Sequence, residues 1–466
     1  MKDILFDPLF LPIILAIGLI YLGVIFTLTS HNKKLVSNLE KVAVILFIFT
    51  MYGVDQEPFA RLHPQTLSEY GKTLPSAAVQ LAVYAALLFI LLPRLRYTLK
   101  DIFPTLSLVI LNNPFLCFLL LMVGLSFLWS ETPIETLKLS LVLIGTSTIS
   151  AYIGKQYNWQ ELDFILRWVG AAIVLLSLVN RNPVAKGWCG ILGHPNQLGA
   201  AISLIATLWI WHGTHHPKQR WLALGILGVC FVLLQNTNSA GAKVQLFVLI
   251  SLLIYLRFVK SLSSQWAFVA VVLFLLLVSI AAILITENME AIVVDTLGKD
   301  LTFTGRRPLW ELLWHRKIKS HLWLGYGYAS FWQRWRGLDN PAQDVVFGNG
   351  WRALHAHNGF MEILLALGLV GFILFVLSLL TTLARAVMYM SQTKRPESIL
   401  PLVLLTYLLV PNLSLSRLLE TGDTWCYYIL AVIRLSLDTR EMNFSENKKI
   451  EAPTPHELVE TEEPSS

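Results

Sequence analysis

The residues best suited to chemistry lie between Thr302 and Gly371. There TGRRPLWELLWHRKIKSHLWLGYGYASFW gives way to a Gly/Asp/Asn-rich run and then to HAHNGFMEILLALGLVG, at the mouth of an apolar segment. Four polar clusters stand at such mouths: Gly193-His194-Pro195-Asn196-Gln197-Leu198-Gly199, Asn236-Thr237-Asn238-Ser239-Ala240-Gly241-Ala242-Lys243, Gly305-Arg306-Arg307 and His355-Ala356-His357-Asn358. Polar groups beside hydrocarbon are costly, so by default they face a cavity or a partner. Arginine stays charged and grips phosphate oxygens through two donors at once. Histidine takes up a proton near neutral pH and so activates a hydroxyl. Fixed cations beside an imidazole suit transfer of a group from a lipid-linked diphosphate to an alcohol. The cations would hold the leaving diphosphate as charge develops on it.

Within this set Arg306 is the leading cation, with Lys243 and Arg307 beside it, and His357 is the leading base. Asn358 and Gly359 let a helix begin directly behind His357, and Gly368 and Gly371 permit close helix packing. His355, Asn358, His194 and Asn196 are expected to line the cavity, although His194 beside Pro195 is equally suited to closing a loop through a backbone bond. Leu324-Gly325-Tyr326-Gly327-Tyr328 is either a plain glycine turn or a place where backbone and the Tyr326 ring approach a ligand. His212, His215 and His216 have no further ligand nearby and read as solvated. There is no DxD and no carboxylate pair among the clusters, so neither a metal nor another cofactor is required. Glu311 and Glu362, the nearest acids, read as orienting or solvated groups.

The elements that must position these residues are membrane helices. Of 466 residues 55% are hydrophobic and only 14% charged, with a mean hydropathy of +0.60, where a soluble domain carries about a quarter charged. Apolar segments near 8–29, 42–54, 76–92, 115–129, 139–153, 168–180, 198–211, 221–234, 244–256, 266–285, 359–384, 399–413 and 424–437 predict an all-α, polytopic integral membrane protein with about 12 or 13 transmembrane helices. The first reads as an uncleaved anchor. Cys117, Cys189, Cys230 and Cys426 are scattered without CxxC spacing, which signals neither a zinc site nor a disulfide framework.

Alternate connections hold the cations: Lys33 with Lys34, Arg94 with Arg96 and Lys100, Lys155, Lys218 with Arg220, Arg257 with Lys260, and Lys394 with Arg395. That set is therefore cytoplasmic. The net charge of +6 follows from the same bias and indicates no nucleic-acid partner. The expected organisation is transmembrane helices with short loops over 1–286, a long external (periplasmic) loop over 287–357, transmembrane helices over 358–438, and an acidic, disordered cytoplasmic tail over 439–466. The long loop carries nine Lys/Arg residues, which anionic ligand recognition would explain. Trp310, Leu313, Trp314 and Ile318 predict an amphipathic helix along the membrane interface.

His357-Asn358, then nine residues, then Gly368-Leu369-Val370-Gly371 resembles the H[N/S/Q]-x9-G-x-x-G pattern of the O-antigen ligase and polymerase superfamily. The TGR…W…HLWLGYGYASFW block and GHPNQLG are similar to family segments too, so the resemblance covers about residues 115–436. It implies a GT-C-like, metal-independent glycosyltransferase of the bacterial inner membrane, acting with an undecaprenyl-diphosphate-linked glycan donor and a glycan acceptor. Other polysaccharide assembly and export proteins would be its companions. By the resemblance Arg306 engages the diphosphate and His357 is the base. The family's further arginine, in an S-R-G segment, is replaced here: Ser239-Ala240-Gly241-Ala242-Lys243 offers Lys243, the same charge without the forked geometry. GYGYASFW is closer to the exopolysaccharide polymerases than to ligases that load lipid A core. O-linked protein glycosylation differs only in the acceptor. The rival from another class is a small-anion, bicarbonate-like transporter; no inverted repeat or pair of interrupted helices supports it.

Overall fold

Asn113, Asn158, His194, Ser239 and Asn358 each sit just before an apolar run, and each accepts a backbone N–H through its side chain. These caps satisfy donors that a helix start otherwise leaves open. Proline follows directly at Pro114 and Pro195, where its missing N–H is no loss. At Asn158 the cap is reciprocal, because Glu161 returns a bond to the Asn158 N–H.

A computed structural model describes residues 33–53, 107, 109–181, 183–184, 187–260, 262–287, 306–346, 352–393 and 395–450. Its main helices are α1 (Lys33–Met51), α2 (Pro114–Leu125), α3 (Pro133–Gln156), α4 (Trp159–Val179), α5 (Pro195–His215), α6 (Arg220–Asn236), α7 (Ala240–Val259), α8 (Ser264–Glu287), α9 (Arg306–Leu312), α10 (Gly359–Gln392), α11 (Leu400–Leu409) and α12 (Asp423–Ile450). Among the described residues a hairpin of two-residue strands, pairing Pro183 with Trp188 and Val184 with Gly187, and an isolated bridge between Val346 and Arg352 interrupt the all-α pattern. Among the described residues six helices are long and apolar enough to cross a membrane, so this is an all-α, multi-pass membrane protein. The expected spans at 8–29 and 76–92 lie outside the described residues, as does Gly305.

α5, α11 and α12 are central. On α12 Trp425, Cys426, Tyr427, Leu430 and Ala431 are fully buried, and on α5 so are Leu198, Ile202, Leu204, Ile205 and Trp209. The lipid-facing side chains, such as Leu141 on α3 and Phe247 on α7, belong to the helices around them. Small residues set the close approaches. A Cβ on Gly154 would lie 2.6 Å from the Leu430 carbonyl, one on Gly170 2.6 Å from Ile205, and one on Gly199 2.5 Å from the Ala242 Cβ.

Three expectations are corrected. The acidic tail does not begin at Thr439, because α12 runs on to Ile450. Arg440, Glu441, Met442 and Glu446 are good helix formers whatever their net charge. His212 is buried rather than solvated and is bonded to Gln219 at 2.8 Å. Finally, α9 continues through a π-turn at Leu313–Ile318, and it does not lay its apolar face on the lipid. Leu309, Leu313 and Ile318 instead cover the long loop's own core of Tyr326, Phe331, Val345 and Ala356.

Candidate functional site

α10 is one helix by hydrogen bonding but is broken at Gly368 (φ 64°, ψ −162°). The break frees backbone groups that the bilayer could not satisfy, and the long loop takes them. Leu369 and Val370 donate to the carbonyls of Leu322 and Trp323 (2.7 and 3.2 Å), while Tyr326 and Gly327 donate to those of Leu365 and Ala366 (2.8 and 2.9 Å). A Cβ at Gly368 would stand 2.4 Å from the Trp323 carbonyl carbon, and one at Gly325 2.6 Å from the Leu365 oxygen. Gly368, Gly325 and Gly327 thus join the loop to a split helix. The expected helix packing at Gly368 is replaced by this docking, and the glycine turn meets protein backbone.

The loop is pinned elsewhere as well. Trp129 Nε1 donates to the Leu324 carbonyl (3.0 Å), Gln333 Nε2 to Thr132 Oγ1 (2.7 Å), and Ser130 Oγ to Ser330 Oγ (3.0 Å). Tyr328 Oη donates to the Leu419 carbonyl (2.8 Å), and burial, with Glu420 near, pushes its hydroxyl above the ordinary tyrosine range.

This frame holds the HAHN turn. His357 has a positive φ of 52°, which a side chain seldom adopts. Its N–H donates to His355 Nδ1 at 3.2 Å, and the two rings lie 3.9 Å apart. Asn358 Oδ1 caps α10 by accepting from Phe360 and Met361. Trp310 Nε1 donates to the Ala356 carbonyl at 2.8 Å. Arg306 begins α9 one helical turn before Trp310.

Glu362 is the hub. Its carboxylate accepts from the Ala356 N–H (2.6 Å), from Trp332 Nε1 (2.9 Å) and from Ser416. It orients, as expected, and what it orients is the turn that carries His357.

The segment that gathers the clusters is the turn between α11 and α12, residues 411–422, none of which stood out in the sequence. Ser416 Oγ accepts from the Asn358 N–H (3.2 Å). Asn412 fits against Gly359, where a Cβ would come within 2.4 Å of Asn412 Oδ1. Ser414 lies 3.7 Å from where a Gly241 Cβ would be. Gly422 approaches the Met51 carbonyl, and Gln197 Nε2 donates to the next carbonyl, Tyr52 (2.9 Å). HAHN and NTNSAGAK therefore meet one turn at one end of the bundle, and GHPNQLG is tied to Tyr52, whose neighbour Met51 lies beside that turn. Asp163 with Arg167, and Lys260 with Ser398 and the Arg395 carbonyl, stand at the other end. The signal available in sequence was NLSLSR itself, a polar run between two apolar segments.

The remaining candidates fall as follows. His194 is the N-cap of α5, its Nδ1 accepting from the Asn196 N–H at 3.1 Å, so it does close the loop. Lys243 is exposed in the first turn of α7. Tyr326 is buried in the loop core, stacked on His321 at 3.9 Å, and does not meet the 411–422 turn; burial raises its hydroxyl above the usual range.

The molecule is thus a helix bundle with a docked long loop and a histidine turn at one polar end. Residues 223–376 match the family model described as O-antigen ligase. The chain is 27% identical over 245 residues to the exopolysaccharide production protein ExoQ of Rhizobium meliloti (strain 1021), a match that takes in 49% of this chain and 55% of that protein. The chain thus spans about half the length of that relative. Both matches support the O-antigen ligase and polymerase superfamily, on its exopolysaccharide side.

Proposed function

We propose that the protein transfers a glycan from a polyprenyl-diphosphate carrier to a sugar hydroxyl at the external face of the inner membrane, extending a surface polysaccharide. The convergence of HAHN and NTNSAGAK on one turn, with the Arg306 helix pinned to Ala356, is the observation that carries this reading. The acceptor hydroxyl gives its proton to His357 as its oxygen attacks the anomeric carbon. The bond from that carbon to the diphosphate breaks, and the departing negative charge falls to Arg306, helped by Arg307 and Lys243. No step needs a metal. His355 and Asn358 hold the turn.

Transfer to lipid A core, or to a protein, would use the same donor handle. The exopolysaccharide relative favours chain extension. The interrupted helix α10 is a feature of many transporters. Here, however, its freed backbone groups are taken by residues 322–327, which leaves no open ion site at the break.

The test is a gel of surface polysaccharide from a deletion strain complemented with wild type, Arg306→Ala or His357→Ala. Loss of long chains with single repeats retained in both variants is the expected result. Loss of all attached glycan with carrier-linked polymer accumulating would make it a ligase. An unchanged profile would refute the enzyme reading and leave the transporter.

A further inference from the structure

Arg417 lies in the turn on which the polar clusters converge, outside the residues that match the family model. It is held on several sides: its N–H donates to Asn412 Oδ1 (2.7 Å), its carbonyl accepts from Thr424 Oγ1 (3.0 Å), and Nη2 pairs with the fully buried carboxylate of Asp423. Asp423 is in turn held by the Tyr407 hydroxyl. The other nitrogen of the fork, Nη1, is buried and has no hydrogen-bond partner. Burial would weaken the guanidinium's charge, but Asp423, Tyr407 and Glu420 outweigh it, so the pKa is raised and Arg417 stays charged. In a largely buried guanidinium that faces Asp423 and the Tyr407 hydroxyl, an unpartnered Nη1 is unfavourable unless something fills it.

The position is informative. A Cβ on Gly422 would stand 3.8 Å from Nη2 and 3.7 Å from the Met51 carbonyl, so the guanidinium packs close to the Met51–Tyr52 backbone. The next residue, Tyr52, receives Gln197, and the residue before Arg417 receives the Asn358 N–H. The guanidinium therefore sits between the His194–Gln197 turn and the His357 turn. Elsewhere the exposed Lys243 supplies charge without a fork.

Resting on the function proposed above, we infer that Arg417 is a donor-binding residue whose fork, oriented by Asp423, engages the carrier's diphosphate through Nη1. A carboxylate behind an arginine fixes its plane, so the free edge is presented with little loss of freedom. A diphosphate carries more negative charge and more acceptor oxygens than a monophosphate, so the single Nη1 contact gains more from it. Arg417 thereby supplies the forked cation missing at Lys243, from a different helix connection.

The test measures binding of undecaprenyl diphosphate and undecaprenyl monophosphate to the full chain in phosphatidylcholine nanodiscs. It compares wild type, Arg417→Lys, and the double variant Arg417→Gln with Asp423→Asn. The lysine keeps the ion pair but not the fork, and the double variant removes both charges so that neither is stranded. Diphosphate binding should weaken about tenfold or more in both, while monophosphate binding changes by about threefold or less and the unfolding midpoint stays near that of wild type. Wild-type diphosphate affinity in either variant overturns the assignment. Equal weakening for both lipids also overturns it, making this a general phosphate contact. Loss of binding that tracks loss of thermal stability in both variants makes the pair a staple of the fold alone. Wild type that binds neither lipid removes the proposed function itself, and this inference with it; wild type that binds diphosphate while the variants match it removes only the inference.

Discussion

Replacing Gly368 by alanine tests the join between α10 and the long loop at its tightest point. The position combines a positive φ of 64° with ψ near −162°, a region essentially restricted to glycine. The added Cβ would also stand 2.4 Å from the Trp323 carbonyl carbon and oxygen, which are backbone and cannot rotate away. Holding alanine in such a backbone state costs roughly 1–3 kcal/mol, and forcing a methyl into packed backbone costs roughly 1–3 kcal/mol more. The sum, about 2–6 kcal/mol, is a large share of a typical net stability of about 5–15 kcal/mol. Gly228 on α6 is the internal control, since a Cβ there meets nothing within 4 Å. Gly228→Ala should be neutral or stabilise by up to about 1 kcal/mol. Purified variants are compared by thermal unfolding followed through tryptophan fluorescence, with limited trypsin cleavage at Arg316, Lys317 and Lys319 reporting the loop. Gly368→Ala should unfold about 2–7 °C below Gly228→Ala and lose its loop to trypsin first. Midpoints within about 1 °C of each other, with equal cleavage, would refute the idea that this glycine holds the loop on the broken helix.

Other outcomes follow from the same geometry. His357→Gly removes the side chain from a left-handed position, so stability should hold or rise by up to about 1 kcal/mol while chain extension is lost; an active variant would remove His357 from the chemistry. Glu362→Gln should destabilise by roughly 1.5–3 kcal/mol and shorten the polysaccharide. Its two oxygens now accept from Trp332 and Ala356 separately, and an amide would set an NH2 against one of those donors; an unchanged unfolding midpoint would count against the hub. If no metal takes part, dialysis against EDTA leaves polymer synthesis in membrane vesicles unchanged, and a loss restored by a divalent cation would reverse that reading.

Much of the molecule was legible in the chain itself. Low charge and long apolar runs dictate membrane helices because the bilayer leaves unpaired backbone no alternative. The caps were visible too, since Asn, Ser or His before an apolar run signals where a helix starts. HN-x9-GxxG marked the turn and the helix behind it, although it gave no hint that Gly368 splits that helix. Only the tertiary structure decided that, because a break is tolerable where another segment fills it, and residues 322–327 are some forty positions away in sequence. The same holds for Glu362, an ordinary first-turn acid until folding brings Trp332, Ala356 and Ser416 to its carboxylate. It holds again for Arg417, which carries no motif and is distinguished only by what surrounds it. Local pattern fixes which residues become helix and which ends are polar. Which polar ends meet depends on how the helices pack, and that is settled by small residues such as Gly154, Gly170 and Gly199 whose partners lie far along the chain.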